Sequence, residues 1–149
     1  MPPDELHKVV DRFGAACQSD PRVVAAFVGG SLATDSADDY SDLDLYLIAT
    51  DEGYASFFAD RAAFMCQLGK PVFLDDFNGF GFDMVLFIFE DGAKGELALA
   101  RASRFLHIHG GPYRVLVDKA GLLQGVIFPV DRIPIGEQQR NLEKLLQAF

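Results

Sequence analysis

Hydrophobic and polar positions alternate along the chain in two periods, and the changes between them mark its elements. Leu6, Val9, Val10, Phe13 and Cys17 fall at i, i+3, i+4, i+7 and i+11. That single apolar stripe predicts a helix over residues 4–18. Asp4 and Glu5 occupy its first turn, where the helix dipole favours acids, and Ser19-Asp20-Pro21 ends it. Residues 23–28 form a short, continuous apolar run that predicts a buried strand. Gly29, Gly30 and Ser31 follow, and a short helix is expected over 31–37. Asp38-Asp39-Tyr40-Ser41 turns the chain into a second strand over 42–49.

The helical period then returns. Thr50 reads as a cap, and Tyr54, Phe57, Phe58, Arg61, Ala62, Met65 and Leu68 continue one face to Gly69, a natural stop. A short strand over 71–74 precedes a turn over 75–79. Residues 82–89 predict a strongly apolar strand, Asp91-Gly92 a hairpin turn, and 95–100 the return strand. On that return strand Glu96, Ala98 and Ala100 share one face, with Leu97 and Leu99 on the other. Residues 101–109 read as a short helix or loop, broken by Gly110-Gly111-Pro112. A strand over 113–118, a turn over 119–121 and an irregular stretch over 125–135 follow. Leu142, Leu145 and Leu146 predict a helix over 136–149. The expected organisation is therefore an α/β (α+β) domain over 1–135, a mixed sheet flanked by helices, with 136–149 a C-terminal helix. That helix ends on Ala148-Phe149 without a cap, which points to a longer chain or to a partner covering this end.

Composition narrows the picture. With 149 residues, half of them apolar, one domain can bury a sizeable core. Fourteen Phe and no Trp suit a core better than a base-stacking platform. There is no apolar run long enough for a membrane span and no signal-peptide pattern at the N-terminus, so a cytoplasmic protein is expected. Cys17 and Cys66 have no metal-binding spacing and read as small buried hydrophobes. The formal net charge of −9 disfavours nucleic acid as the main partner unless folding assembles a basic patch. A cationic acceptor would suit that charge, although acidity also serves solubility.

Candidate chemistry gathers between Gly29 and Asp44. In a strand, residues i and i+2 point to one face, so Asp42 and Asp44 should project side by side. Two adjacent carboxylates repel unless a cation lies between them. Hard oxygen ligands suit Mg²⁺, which takes substrate phosphates as further ligands. The Gly-Gly-Ser turn offers close backbone approach and free N–H groups to a phosphate.

The pattern Gly-Ser, about ten residues, then Ser-Asp-x-Asp leading into apolar residues resembles the DNA polymerase β-like nucleotidyltransferase superfamily. That group includes antibiotic adenylyltransferases and minimal nucleotidyltransferases. The resemblance covers roughly residues 22–121 and implies the nucleotidyltransferase fold. It implies ATP as substrate, with Gly30 and Ser31 at its phosphates, and two Mg²⁺ ions on Asp42 and Asp44. The implied reaction moves AMP to a hydroxyl of a small molecule such as an aminoglycoside-like antibiotic. Two rivals remain: a minimal nucleotidyltransferase antitoxin acting on a helical ribonuclease partner, and a nucleotide-binding domain that has lost turnover.

A third carboxylate is wanted near the acceptor hydroxyl, as metal ligand or general base. Glu96 on the return strand and Asp83 on the outgoing strand compete. Glu96 is favoured because its hairpin, and the downstream Tyr113-Arg114-Val115-Leu116-Val117-Asp118-Lys119-Ala120-Gly121, resemble streptomycin-type adenylyltransferases. Lys94, Arg101, Arg104 and Lys119 can neutralise phosphate, although a solvated role is the better reading for each. His107 and His109 alternate without a third ligand, so an ordinary surface or core role is expected. Thr34 and Asp35 stand where the family often has Arg-Gly, leaving one fewer positive group near the site. The family's helical acceptor-binding domain is represented only by 136–149.

Overall fold

The structure, a computed structural model, describes residues 2–39, 41–78 and 82–129. The helix expected over 136–149 lies outside these residues. Helix α1 (Pro3–Ser19) is followed by β1 (Val23–Val28), the one-turn α2 (Gly30–Ala33) and β2 (Leu43–Ala49). Two short helices, α3 (Tyr54–Ala59) and α4 (Arg61–Met65), lead to the strands β3 (Pro71–Phe77), β4 (Asp83–Phe89), β5 (Lys94–Arg101) and β6 (Arg114–Asp118). The sheet order is β3-β4-β5-β2-β1-β6. Only β2 and β5 pair in parallel; every other neighbouring pair is antiparallel. Sequence and structure therefore agree on a mixed sheet with helices.

Strand alternation divides the core into two layers. Leu43, Leu45, Leu47, Leu97 and Leu99 face α1, α3 and α4, where Leu6, Val9, Phe13, Phe57 and Phe64 are buried. Tyr46, Ile48, Ala98 and Ala100 face the other way, onto Phe27, Phe105, Ile108, Leu123 and Phe128. Helices cover the first layer. Among the described residues, the loops around β6 cover the second. The apolar stripe of α1 is the one its periodicity predicts, and its members are almost completely buried.

Several boundaries differ from expectation. The helix predicted through 54–68 breaks at Asp60, whose N–H bonds to the carbonyls of Ser56 and Phe57. Thr50 caps the turn ahead of that helix, its hydroxyl accepting the Gly53 N–H at 3.0 Å. Where a turn is expected over 75–79, β3 instead continues to Phe77, because Asp75, Asp76 and Phe77 pair with Leu86, Val85 and Met84. At the sheet edge these acids can remain in solvent while their backbone pairs. The helix expected over 31–37 is only one turn long. Cys17 is buried as expected, and burial raises its thiol pKa, but Cys66 is exposed at the end of α4.

One close approach positions the site. Gly95 pairs with Leu43, and a Cβ on Gly95 would overlap the Leu43 carbonyl oxygen. Only a residue without a side chain lets β5 come this near to β2. Gly95→Ala should lower folding stability by about 3 kcal/mol, in the range of severe core lesions. Denaturant melts of the two proteins check this.

Candidate active site

The Gly-Gly-Ser turn sits directly on the second acid of the Asp-x-Asp pair. Gly29 continues the β1–β2 ladder, its N–H donating to the Asp44 carbonyl at 3.0 Å. Gly30 has φ 60°, a left-handed conformation that glycine adopts without strain. A Cβ on Gly30 would overlap Asp44 Oδ2. The bare backbone of the turn and the Asp44 carboxylate are therefore in contact because residue 30 has no side chain. The α2 helix is too short to supply a meaningful dipole; the turn offers close backbone approach. Both serines of the motif hold the turn closed. Ser31 Oγ donates to Ser41 Oγ at 3.0 Å, and Ser41 Oγ accepts the Asp38 N–H at 2.9 Å.

The parallel pairing of β2 and β5 sets Asp44 directly beside Glu96. Paired residues on neighbouring strands share a face, so two carboxylates lie side by side about 5 Å apart at the backbone. Glu96 is only 8% exposed. Asp83, the other candidate for the third carboxylate, is not brought to this place. It pairs with Leu99, three residues further along β5, or about 10 Å. Leu99 belongs to the helix-covered layer, so Asp83 also lies on the wrong face. There it accepts a hydrogen bond from the Tyr54 hydroxyl. It lines a cleft of about 440 Å³ with Arg101, Arg104 and His107.

Asp42 departs from the simple alternation. It precedes the paired part of β2, so the pleat does not fix its side chain. Its Oδ1 is buried without a hydrogen-bond partner, and Lys94 Nζ is 4.0 Å away. Together with Leu6, Ser41 and Ala93 the two line a cavity of about 310 Å³. Desolvation raises the Asp42 pKa, partly offset by the Lys94 charge. Among the described residues, no three ligand-type side chains are gathered closely enough to enclose an ion by themselves.

Two further residues complete the surroundings: Tyr46, which the sequence reading gave no role, and His109, which it expected in an ordinary surface or core place and which is buried. Tyr46, two residues after Asp44 on the same face, is 1% exposed and its hydroxyl has no partner. Burial pushes its phenol pKa well up, and the Asp44 and Glu96 charges add to the rise. His109 lies against Gly29 and Tyr46, its ring 4.7 Å from the Tyr46 ring. Its Nε2 is 2.8 Å from the Pro112 carbonyl, which can only accept, so Nε2 carries the proton. Burial lowers the His109 pKa, against smaller opposing effects of Pro112 and Asp44. A tyrosine at i+2 from an acid, on the acid's own face, was the available signal for Tyr46. Nothing local placed His109 beside Tyr46, because a loop far along the chain delivers it.

Two of the candidate cations are engaged elsewhere. Arg101 stacks over Tyr54 at 4.0 Å, and Lys119 donates to the Asp20 carbonyl at 2.8 Å. Asp35, at the place where the resembled family has glycine, adopts φ 57°. That left-handed geometry accounts for glycine there, and Asp is among the few other residues that tolerate it.

A mixed sheet, a glycine turn seated on an Asp-x-Asp strand and a carboxylate in register on the parallel neighbour define a domain of the nucleotidyltransferase class. More specifically, the chain belongs to the streptomycin adenylyltransferase family, whose model matches residues 5–136. No curated protein sequence matches it. No helix among the described residues is long and apolar enough to cross a membrane.

The raised pKa of Asp42 has a signed consequence. A carboxyl that ionises less readily in the folded chain costs stability as pH rises above roughly 4 through its folded value. Asp42→Asn removes that loss. Its melting temperature should match wild type below about pH 4, exceed it as the pH rises through the folded pKa of Asp42, and keep a constant excess above that, as thermal melts across this range would show.

Proposed function

We propose that this chain is a Mg²⁺-dependent nucleotidyltransferase that moves AMP from ATP to a hydroxyl of a small molecule such as an aminoglycoside-like antibiotic. The observation that carries this reading is the contact between the Gly30 backbone and the Asp44 carboxylate, with Glu96 in register beside Asp44. That geometry supports a reading in which backbone amides for a phosphate and oxygens for a metal meet at one point. The family match supports adenylyl transfer and a small-molecule acceptor. Nothing observed favours the ribonuclease partner.

The residues suit a divalent cation. Asp44 and Glu96 place like charges together, an arrangement that a cation relieves. Asp42 brings a buried carboxylate oxygen without a hydrogen-bond partner close by in sequence. Mg²⁺ needs only one or two protein carboxylates when phosphates and water fill its other positions. Asp42, Asp44 and Glu96 would hold the ions, two in the reading favoured here. Bound there, Mg²⁺ would neutralise the charge of the triphosphate and of the leaving pyrophosphate.

The chain's own residues perform the remaining tasks. The amides of Gly30 and Ser31, with the Ser31 hydroxyl, hold the β- and γ-phosphates and so orient the α-phosphorus. Glu96 takes the proton of the acceptor hydroxyl. The acceptor oxygen then bonds to the α-phosphorus, and the bond from that phosphorus to pyrophosphate breaks. Burial of Glu96 keeps water from competing for the same place.

Asp44→Asn should lower AMP transfer from labelled ATP to streptomycin by roughly 10²–10³-fold, the scale for removing one charge-stabilising group. Its melting temperature should not fall. Retained transfer by this variant would overturn the metal assignment; no transfer to streptomycin by wild type would overturn that acceptor.

A further inference from the structure

Among the described residues, three buried side-chain polar atoms lack a hydrogen-bond partner: Asp42 Oδ1, Tyr46 Oη and His109 Nδ1. One belongs to a proposed metal ligand, and the other two to the neighbouring Tyr46–His109 pair. A buried polar group without a partner costs about 1–3 kcal/mol, and folded chains retain few of them. The Tyr46 hydroxyl is the best defined of the three. Its ring lies parallel to Phe27, centroids 4.6 Å apart and planes within 4°. His109 closes on it edge-on from another side. Gly29 makes room for this arrangement, since a Cβ there would come within 3.0 Å of Tyr46 Cε2 and 2.7 Å of His109 Cε1. The ring is clamped, so the hydroxyl oxygen cannot readily move toward a partner.

Two carboxylates lie on its side of the sheet: Tyr46 follows Asp44 by two residues on β2, and Glu96 pairs with Asp44, so all three share one face. A tyrosine hydroxyl can donate a hydrogen bond, and a carboxylate can only accept one. Ligating carboxylates are ordinarily oriented by such second partners. We propose that the Tyr46 hydroxyl is a positioning group: it donates a hydrogen bond to the Asp44–Glu96 pair when a divalent cation draws those carboxylates together, fixing the oxygens turned away from the cation. Phe27 and His109 hold the hydroxyl ready. This role rests on the metal-site reading above, and the aromatic clamp is its own support.

Tyr46→Phe removes one oxygen and leaves the clamp intact. The experiment compares wild type, Tyr46→Phe and Asp44→Asn by melting temperature without metal and by calorimetric titration with Mn²⁺ in the presence of ATP. Tyr46→Phe should melt at or above the wild-type temperature, because an unpartnered buried hydroxyl is gone. Its Mn²⁺ affinity should fall by roughly 10–100-fold, as for other losses of a partner to a ligand. Wild-type Mn²⁺ affinity in Tyr46→Phe would overturn the proposal while Asp44→Asn still tests the metal site. A lower melting temperature would also overturn it, since the hydroxyl would then be bonded already in the metal-free protein. Mn²⁺ binding absent from wild type, or unchanged in Asp44→Asn, would overturn the metal site and this proposal with it.

Discussion

The parallel pairing of β2 with β5 is the constraint on which the site depends. Every other pair in the sheet is antiparallel, and most could be built from local turns. This one joins strands about fifty residues apart and has no hairpin to set its register. Its register places Asp44 opposite Glu96, and a slip of one residue would send Glu96 into the leucine layer beneath the helices. Gly95 secures the approach at the end where the acids lie. The same pairing carries Leu45 with Leu97 and Leu47 with Leu99 into the main core. Hydrophobic burial thus holds together two carboxylates that would otherwise separate.

The electrostatic character of the site follows from that arrangement. Its acids and polar groups lie together: Asp42 with a buried oxygen that has no hydrogen-bond partner and Lys94 4.0 Å away, Tyr46 with a hydroxyl that has no hydrogen-bond partner, Asp44 and Glu96 side by side. Among the described residues, the buried side-chain polar atoms without a hydrogen-bond partner belong to Asp42, Tyr46 and His109. Such concentrations are where folding stability is given up for binding. The Gly29-Gly30 turn belongs to the same design. One glycine admits the Tyr46–His109 pair, and the other admits the Asp44 carboxylate.

Much of this was legible in the chain. The stripe of α1, the strand 23–28, the Asp-Gly hairpin and the division of 95–100 into two faces follow from spacing alone, because local periodicity reports local geometry. Family resemblance and hairpin order favoured Glu96 over Asp83, and the sheet pairs Glu96 with Asp44 while Asp83 pairs with Leu99 on the other face. The misses have physical reasons. Strand alternation does not extend to Asp42, which lies just outside the ladder. The edge strand β3 hides its pairing behind turn-forming residues, and the stop at Asp60 lies inside an otherwise continuous apolar face.

By itself the sequence determined the elements of the Gly-Ser and Asp-x-Asp motif and the faces on which most of its residues lie, since each is a matter of bonds and periods within a few residues. Only the tertiary structure decided which acid joins Asp44, that Asp42 rests against Lys94, and that His109 closes over Tyr46. Those relations join residues from about fifty to more than sixty positions apart. They are set by strand order and by the packing of two core layers, and no local pattern encodes either.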